Sequence, residues 1–351
     1  MTATGTYRIA IVGASSLAGK ELSDAIAESP LAAADLTLLD DEDAAGQIAT
    51  AGDEASFIQA IDAESFAGVD FVFFAGDEEK TKKYWKTARQ AGASIVDMTG
   101  ALEAEAGVIV RAPWVSAAAL SGRELQPDLT TPAVVAAHPA ALMLLLAAER
   151  LHAKRAVRAV AATVFEPASE HGRAAMDELH QQTVSLLSFQ TLPRAQFDAQ
   201  IAFNLLPALG EDAKVKLEAV KQRIARQYAT LSRGSTPVLA LQLVQAPVFH
   251  GYVASVLMEL DAPATKEQVE AALRGEHIEV TGADAEPPSN VSAAGQAEIL
   301  LEVSAASAGE ESAAGTHFWL WMAADNLKLA ALNAIACASE LRRLRPHGKV
   351  Q

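Results

Sequence analysis

Gly13, Ser15, Ser16, Leu17 and Gly19 lie in the run Ile9-Ala-Ile-Val-Gly13-Ala-Ser15-Ser16-Leu17-Ala-Gly19-Lys-Glu-Leu22. An apolar strand, a tight turn and a helix start follow one another there in the order used by nucleotide-binding βαβ units. A phosphate would sit on the free N–H groups and the positive dipole end of the helix. Serine stands at position 16 in place of the middle glycine of that pattern, so a plain strand-to-helix turn without a ligand stays open as the other reading. The second apolar run ends in Asp40-Asp41-Glu42-Asp43, where an adenosine ribose would be read, with Asp41 beside it. Carboxylates there accept from a free 2′-hydroxyl and repel a 2′-phosphate, which favours NAD over NADP. A solvated acidic loop is the alternative.

Such a turn has to be held by a sheet. Apolar strand-like runs at 7–12, 36–39, 69–75, 94–97 and 132–137 alternate with helical periods, which predicts βα units and a mainly parallel sheet. From about residue 155 the pattern changes to longer β runs at 156–165, 237–246, 252–260, 298–303 and 317–323, with helices between them. That predicts an antiparallel or mixed sheet with helices on one face. Segments 282–294 and 305–315 are rich in Ala, Gly, Ser, Pro and acids and read as exposed loops. A last helix is expected from Asn326 to about 344.

The chain has 351 residues, 50% hydrophobic and 21% charged, enough for two domains of ordinary globular composition. The formal charge of −16 disfavours nucleic acid and anionic membrane as partners. No apolar run is long enough to span a membrane, and the first residues lack the regions of a signal peptide, so a cytoplasmic protein is expected. The single cysteine, Cys337, excludes an internal disulfide and a multi-thiolate metal site.

Five segments taken in order resemble aspartate-semialdehyde dehydrogenase over nearly the whole chain. They are the Gly13 turn, Gly92-Ala-Ser-Ile-Val-Asp97, Val134-Val-Ala-Ala-His138-Pro139, Phe203-Asn-Leu-Leu-Pro207, and Leu320-Trp-Met-Ala-Ala-Asp325-Asn326-Leu327-Lys328. The resemblance implies an α/β fold: a Rossmann-type NAD(P)-binding domain over 1–135, completed by a C-terminal helix over 326–351, and an α+β dimerisation and substrate domain over 136–325. It also implies a homodimer, and a cofactor contact at Asn326. Members of the family reduce an aspartyl phosphate to the semialdehyde through a cysteine thiohemiacetal.

That reaction needs a thiolate, an acid or base beside it, and cations for the phosphate and the substrate carboxylate. The resemblance puts Ala141 at the nucleophile, in His138-Pro139-Ala140-Ala141, and Tyr252 at the catalytic histidine. Gln245 stands for the carboxylate-binding arginine, Glu103 for the phosphate-binding arginine and Glu166 for a glutamine beside the nucleophile, while Lys216 matches a retained lysine. Cys337 lies mid-helix among small apolar residues, the setting of a packed and inert thiol.

The same segments carry other titratable groups: His138, Glu166, Glu170, His171, His250 and Tyr252. Converging on one pocket they could hold a divalent metal or run acid–base chemistry; facing different ways they are polar fillings of an abandoned pocket. Neither residue types nor spacing identify a metal site. Three functions are therefore open: a non-catalytic or regulatory dimeric member of the family that keeps the fold, with or without its nucleotide cleft, an NAD-binding oxidoreductase of altered chemistry, and a working aspartate-semialdehyde dehydrogenase.

Overall fold

The structure, a computed structural model, describes residues 7–32, 35–51, 54–62, 64–118, 126–128, 130–282, 285–306 and 314–344. It divides into two compact units, one made of Met1–Pro113, Arg123–His138 and Ala330–Gln351, the other of Trp114–Gly122 and Pro139–Leu329. Positions 283–284 and 307–313 of the two segments read as loops, and 345–351 of the C-terminal segment, fall outside the described residues.

The first unit is built on strands β1 (Arg8–Val12), β2 (Asp35–Asp40), β3 (Ile48–Ala51), β4 (Glu54–Phe57), β5 (Gln59–Ala60), β6 (Phe71–Phe74), β7 (Ser94–Asp97), β8 (Ile109–Arg111) and β9 (Val134–Ala136). Seven of them form one sheet in the order β5-β2-β1-β6-β7-β9-β8, with every pairing parallel. β3 and β4 form a separate antiparallel hairpin. The strands are apolar on both faces, as a doubly covered parallel sheet requires. Ile9, Ile11, Phe71 and Phe73 pack to one side with Leu22 and Ile26 of α1 (Leu17–Ala27). Ala10, Val12, Val72 and Phe74 pack to the other with Trp85 and Ala88 of α2 (Glu78–Gln90). A short helix, α3, covers Pro113–Ala118.

The second unit opens with α4 (Pro139–His152) and contains β10 (Val157–Glu166), α5 (Arg173–Leu187), α6 (Leu217–Ser232), β11 (Leu239–Gln245) and β12 (Tyr252–Ala264). It continues through α7 (Lys266–Leu273), β13 (Ile278–Val280), β14 (Ile299–Ala305) and β15 (Gly315–Ala324). Its six-stranded sheet runs β11-β10-β12-β15-β14-β13. β10–β11 and β13–β14 are parallel and the remaining pairs antiparallel, so the sheet is mixed. One residue in two points inward along β10 and β12: Val160, Ala162, Val164 and Glu166, then Tyr252, Ala254, Val256 and Met258, are all buried. α4, α6 and α7 pack on the sheet. The final helix, α8 (Asn326–Leu344), starts in the second unit and passes at Ala330 into the first, where Ala331, Ala334, Ile335, Cys337, Ala338 and Leu341 join the core on the α1 side of the sheet.

One expectation needs correcting. Residues 285–294 carry no helix or strand, but they are not simply an exposed loop: Pro288 and Ala293 are buried. The Pro288 carbonyl accepts from Trp321 Nε1 at 2.9 Å, and Asn290 packs so closely on Gly251 that a Cβ there would lie 2.9 Å from the Asn290 carbonyl oxygen. Small and polar residues made the segment look solvated, whereas its backbone is a packing partner of the second unit.

Candidate functional site

The glycine turn joins β1 to α1. Gly13 has φ 86°, and a Cβ on it would meet the Cα of Gly76 at 2.3 Å, so only glycine fits. At Gly19 a Cβ would lie 2.2 Å from the Gly13 carbonyl oxygen, which is the close helix-to-strand approach that the last glycine of such a turn permits. Ser16 takes the N-cap: its backbone is extended, φ −69° and ψ 165°, its hydroxyl accepts from Gly19 N at 2.9 Å and donates to the Ala75 carbonyl at 2.8 Å. An extended residue needs no glycine, which explains how serine is accommodated there. With Gly19 N–H capped and Lys20 N–H bonded to the Ser16 carbonyl, Leu17 and Ala18 supply the helix-terminal N–H donors for an anion.

The acidic run does not act as four equal charges. Asp40 is buried at the end of β2; its carboxylate accepts from Ser15 N at 2.8 Å, Asp41 N at 2.9 Å and Lys80 Nζ at 2.6 Å. Burial works to raise its pKa, but the hydrogen bonds from Lys80, Ser15 and Asp41 prevail and hold it below the usual carboxylate value. Lys80 also lies 2.8 Å from Asp41 Oδ2 and 3.5 Å from Asp77 Oδ2. Burial pulls its pKa down and the bonds to Asp40 and Asp41 push it further up, so it is cationic. Glu42 and Asp43 are exposed. Sequence reasoning missed Lys80. The available signal was its place one turn into the helix after β6, at the carboxyl edge of the sheet where ligands bind in doubly wound folds.

In the second unit β10 and β11 pair in register at Glu166 and Gln245. The Glu166 side chain is fully buried, and His171 Nε2 lies 2.5 Å from its Oε1. The two side chains form a buried ion pair. Burial disfavours the charged imidazole and the Glu166 carboxylate favours it; the balance holds the His171 pKa above its usual value. Tyr252 is fully buried, and burial, with Glu170 and Glu166 near its hydroxyl, pushes its pKa up, so it is a neutral phenol. Glu166, Glu170, His171 and Tyr252 are thus brought together.

The Gln245 amide nitrogen and both ends of the Asn326 amide are committed internally. Gln245 Nε2 donates to the carbonyls of Glu166 and Ala246 at 3.0 and 3.2 Å. Asn326 Oδ1 accepts from Ser169 Oγ at 3.1 Å and from Gly251 N at 3.0 Å, while its Nδ2 donates to Glu170 Oε2 at 3.2 Å. Asn326, expected at the cofactor, therefore uses both ends of its amide to tie three segments of the second unit together.

The remaining positions are dispersed. Ala141 is buried in the first turn of α4, His138 is buried at the end of the first unit's chain segment, and His250 is partly exposed between β11 and β12. Lys216 is exposed at the N-cap of α6. Glu103 is half-buried in the loop after β7, a loop closed by Asp97, whose carboxylate accepts from Thr99, Gly100 and Leu102 N–H groups. Cys337 is fully buried in α8 with its Sγ 3.8 Å from the Arg111 carbonyl, and burial pushes the thiol pKa far up. Among the described residues no three His, Cys, Asp or Glu side chains form a metal-holding group, and no helix is long and apolar enough to cross a membrane.

Residues 8–123 match the family model of the semialdehyde dehydrogenase NAD-binding domain and 149–329 that of the semialdehyde dehydrogenase dimerisation domain. The chain is 32% identical over 331 residues to the USG-1 protein homolog of Pseudomonas aeruginosa, covering 93% of this chain and 95% of that one. It is 25% identical over 341 residues to the aspartate-semialdehyde dehydrogenase of Rickettsia bellii, covering 96% and 98%. Among solved structures, "a probable aspartate-semialdehyde dehydrogenase from Pseudomonas aeruginosa" matches with TM-score 0.84 and 28% identity over 97% of this chain and 99% of that one. With one unit built on a parallel sheet that carries the glycine turn and another built on a mixed sheet, the chain belongs to the aspartate-semialdehyde dehydrogenase family and holds that family's NAD(P)-binding and dimerisation domains.

Proposed function

We propose that this protein is a homodimeric, dinucleotide-binding member of the family that does not carry out the family's thiol-dependent reaction in either direction. The observation that carries the reading is Cys337, the one cysteine of the chain, fully buried and with its thiol pKa raised. A thiol held protonated in a helix core is no nucleophile. The position the resemblance assigns to the nucleophile holds Ala141, whose methyl cannot form a thiohemiacetal. Glu103 in place of a phosphate-binding arginine, and Gln245 bonded to its own backbone neighbours, support the same conclusion. The glycine turn fits a nicotinamide dinucleotide: Leu17 and Ala18 would hold its pyrophosphate, and the approach of Gly13 to Gly76 leaves backbone rather than side chain at the turn. A bound nicotinamide would supply hydride transfer. Reaction rates with aspartate semialdehyde, phosphate and either dinucleotide test the proposal, and a rate no higher than the protein-free blank is expected.

One observation favours a second reading. The buried Glu166–His171 pair beside the neutral phenol of Tyr252 is an acid–base assembly and would suit proton transfer on a substrate other than an acyl phosphate. A dinucleotide-dependent turnover of any hydroxy or oxo compound that Glu166→Gln abolishes, with the fold intact, would establish it.

A further inference from the structure

We propose that Lys80, jointly with Asp41, reads the adenosine ribose of the dinucleotide, within a group of carboxylates that sets the preference for NAD over NADP. The inference rests on the dinucleotide-binding reading above and adds the residue that reads the ribose. In doubly wound folds the ribose lies beside the acidic end of the second strand, at the carboxyl edge of the sheet. Asp40 ends that strand here, but its carboxylate is already engaged by Ser15 N, Asp41 N and Lys80 Nζ. It is an anchor of the turn rather than a reader of ligand.

Lys80 is differently placed. An ammonium has three N–H donors. Asp40 and Asp41 take two, at 2.6 and 2.8 Å, and Asp77 at 3.5 Å is too far for a good hydrogen bond, so one donor is left. The side chain keeps 20% of its exposure and Asp41 keeps 55%. A donor and a carboxylate acceptor therefore stand side by side, which is the complement of a vicinal diol. The surrounding charge works against an added phosphate. Three carboxylates flank one ammonium, and Glu42, Asp43, Glu78 and Glu79 are exposed close by in sequence. Each carboxylate within about 4–6 Å of a 2′-phosphate lowers affinity on the order of tenfold at a surface-like dielectric.

Fluorescence or calorimetric titration of the full chain with NAD and with NADP, at low and at physiological salt, tests the assignment. Wild type is expected to bind NAD more tightly, by a margin that narrows as salt screens the repulsion. Lys80→Met is expected to weaken NAD about tenfold. Because that variant leaves Asp40 buried without its cation, Asp77→Asn is the second probe: asparagine caps a helix as well as aspartate does, so the fold is kept while one flanking charge is removed. It is expected to raise NADP affinity several-fold and leave NAD within twofold. Unchanged affinities in a folded Lys80→Met together with an unchanged NADP-to-NAD ratio in Asp77→Asn would overturn the role of Lys80 while leaving dinucleotide binding intact. Tighter binding of NADP by wild type at both salts would also overturn it. No binding of either dinucleotide at millimolar concentration would remove the underlying reading and this assignment with it.

Discussion

His171 Nε2 stands 2.5 Å from Glu166 Oε1, and the Glu166 carboxylate has no solvent exposure. Removing one partner of a buried pair leaves the other uncompensated, at a cost of about 3 kcal/mol. Glu166→Ala is expected to lower stability by that amount in denaturant titration. The pair also makes a pH-dependent contribution of definite sign. His171 has a folded pKa above its unfolded value near 6.5, so its contribution is complete below that pH and is lost as pH rises through the raised value. The stability gap between wild type and His171→Gln should therefore shrink as pH rises above about 6.5; a constant gap would contradict the charged imidazole.

A second pair fixes the C-terminal helix. Arg111 at the end of β8 binds Glu340 of α8 through two bonds, Nε to Oε2 at 2.9 Å and Nη2 to Oε1 at 2.6 Å, and Asn333 Nδ2 donates to the Arg111 and Ala137 carbonyls at 3.3 and 3.2 Å. The arginine is 3% exposed. Glu340→Ala is expected to cost about 3 kcal/mol, and Arg111→Met with Glu340→Leu to recover most of it, because an apolar pair of similar volume leaves no stranded charge. Equal losses in the single and the double variant would contradict that account.

On β15 the outward residues are His317, Trp319 and Trp321, and the two tryptophans are 42% and 39% exposed although the inward residues of the strand are fully covered. Large aromatics left on a sheet of a dimerisation domain are expected to be covered by a second copy of the chain. Trp319→Arg is expected to shift sedimentation at micromolar concentration from dimer towards monomer while the far-ultraviolet circular dichroism is retained. A wild-type monomer would contradict the homodimer.

The long strands were legible because period and length agree: the run 94–97 coincides with β7, and the other long runs differ from their strands by a few residues at the ends. Short elements mostly were not, although β9, of three residues, lay within the expected run 132–137. β5, with two residues, and β8 and β13, with three each, carry too little pattern to distinguish from loop and exist because neighbouring strands bind them. The β3–β4 hairpin was hidden by its alanines, which have weak strand preference. The site was legible as residue types and not as pairings. Lys80 and Asp40 are forty positions apart, and Arg111 and Glu340 are 229 apart, so nothing local announces either bond. Glu166 and His171 were visible as candidates, yet only the turn of chain through Ala168–His171 brings them together.

Cys337 offers a simple check on the helix that holds it. Fully buried, with its thiol pKa raised by burial and Sγ 3.8 Å from the Arg111 carbonyl, it should be unreactive towards a water-soluble aromatic disulfide reagent at pH 8 until the protein unfolds. Labelling within seconds in the native state would mean that α8 does not pack as described.

Whether the chain keeps the family fold without the family's thiol chemistry is tested most directly by the rate of dinucleotide reduction with aspartate semialdehyde and phosphate, in protein prepared from a host lacking its own enzyme. Wild type and Ala141→Cys are both expected to give the protein-free rate, the latter because, on the proposed reading, a restored thiol would still face Glu103 and Tyr252 where the reaction needs a phosphate-binding cation and an acid–base histidine. Phosphate-dependent turnover by the wild type, saturating in the semialdehyde and proportional to protein concentration, would contradict the account.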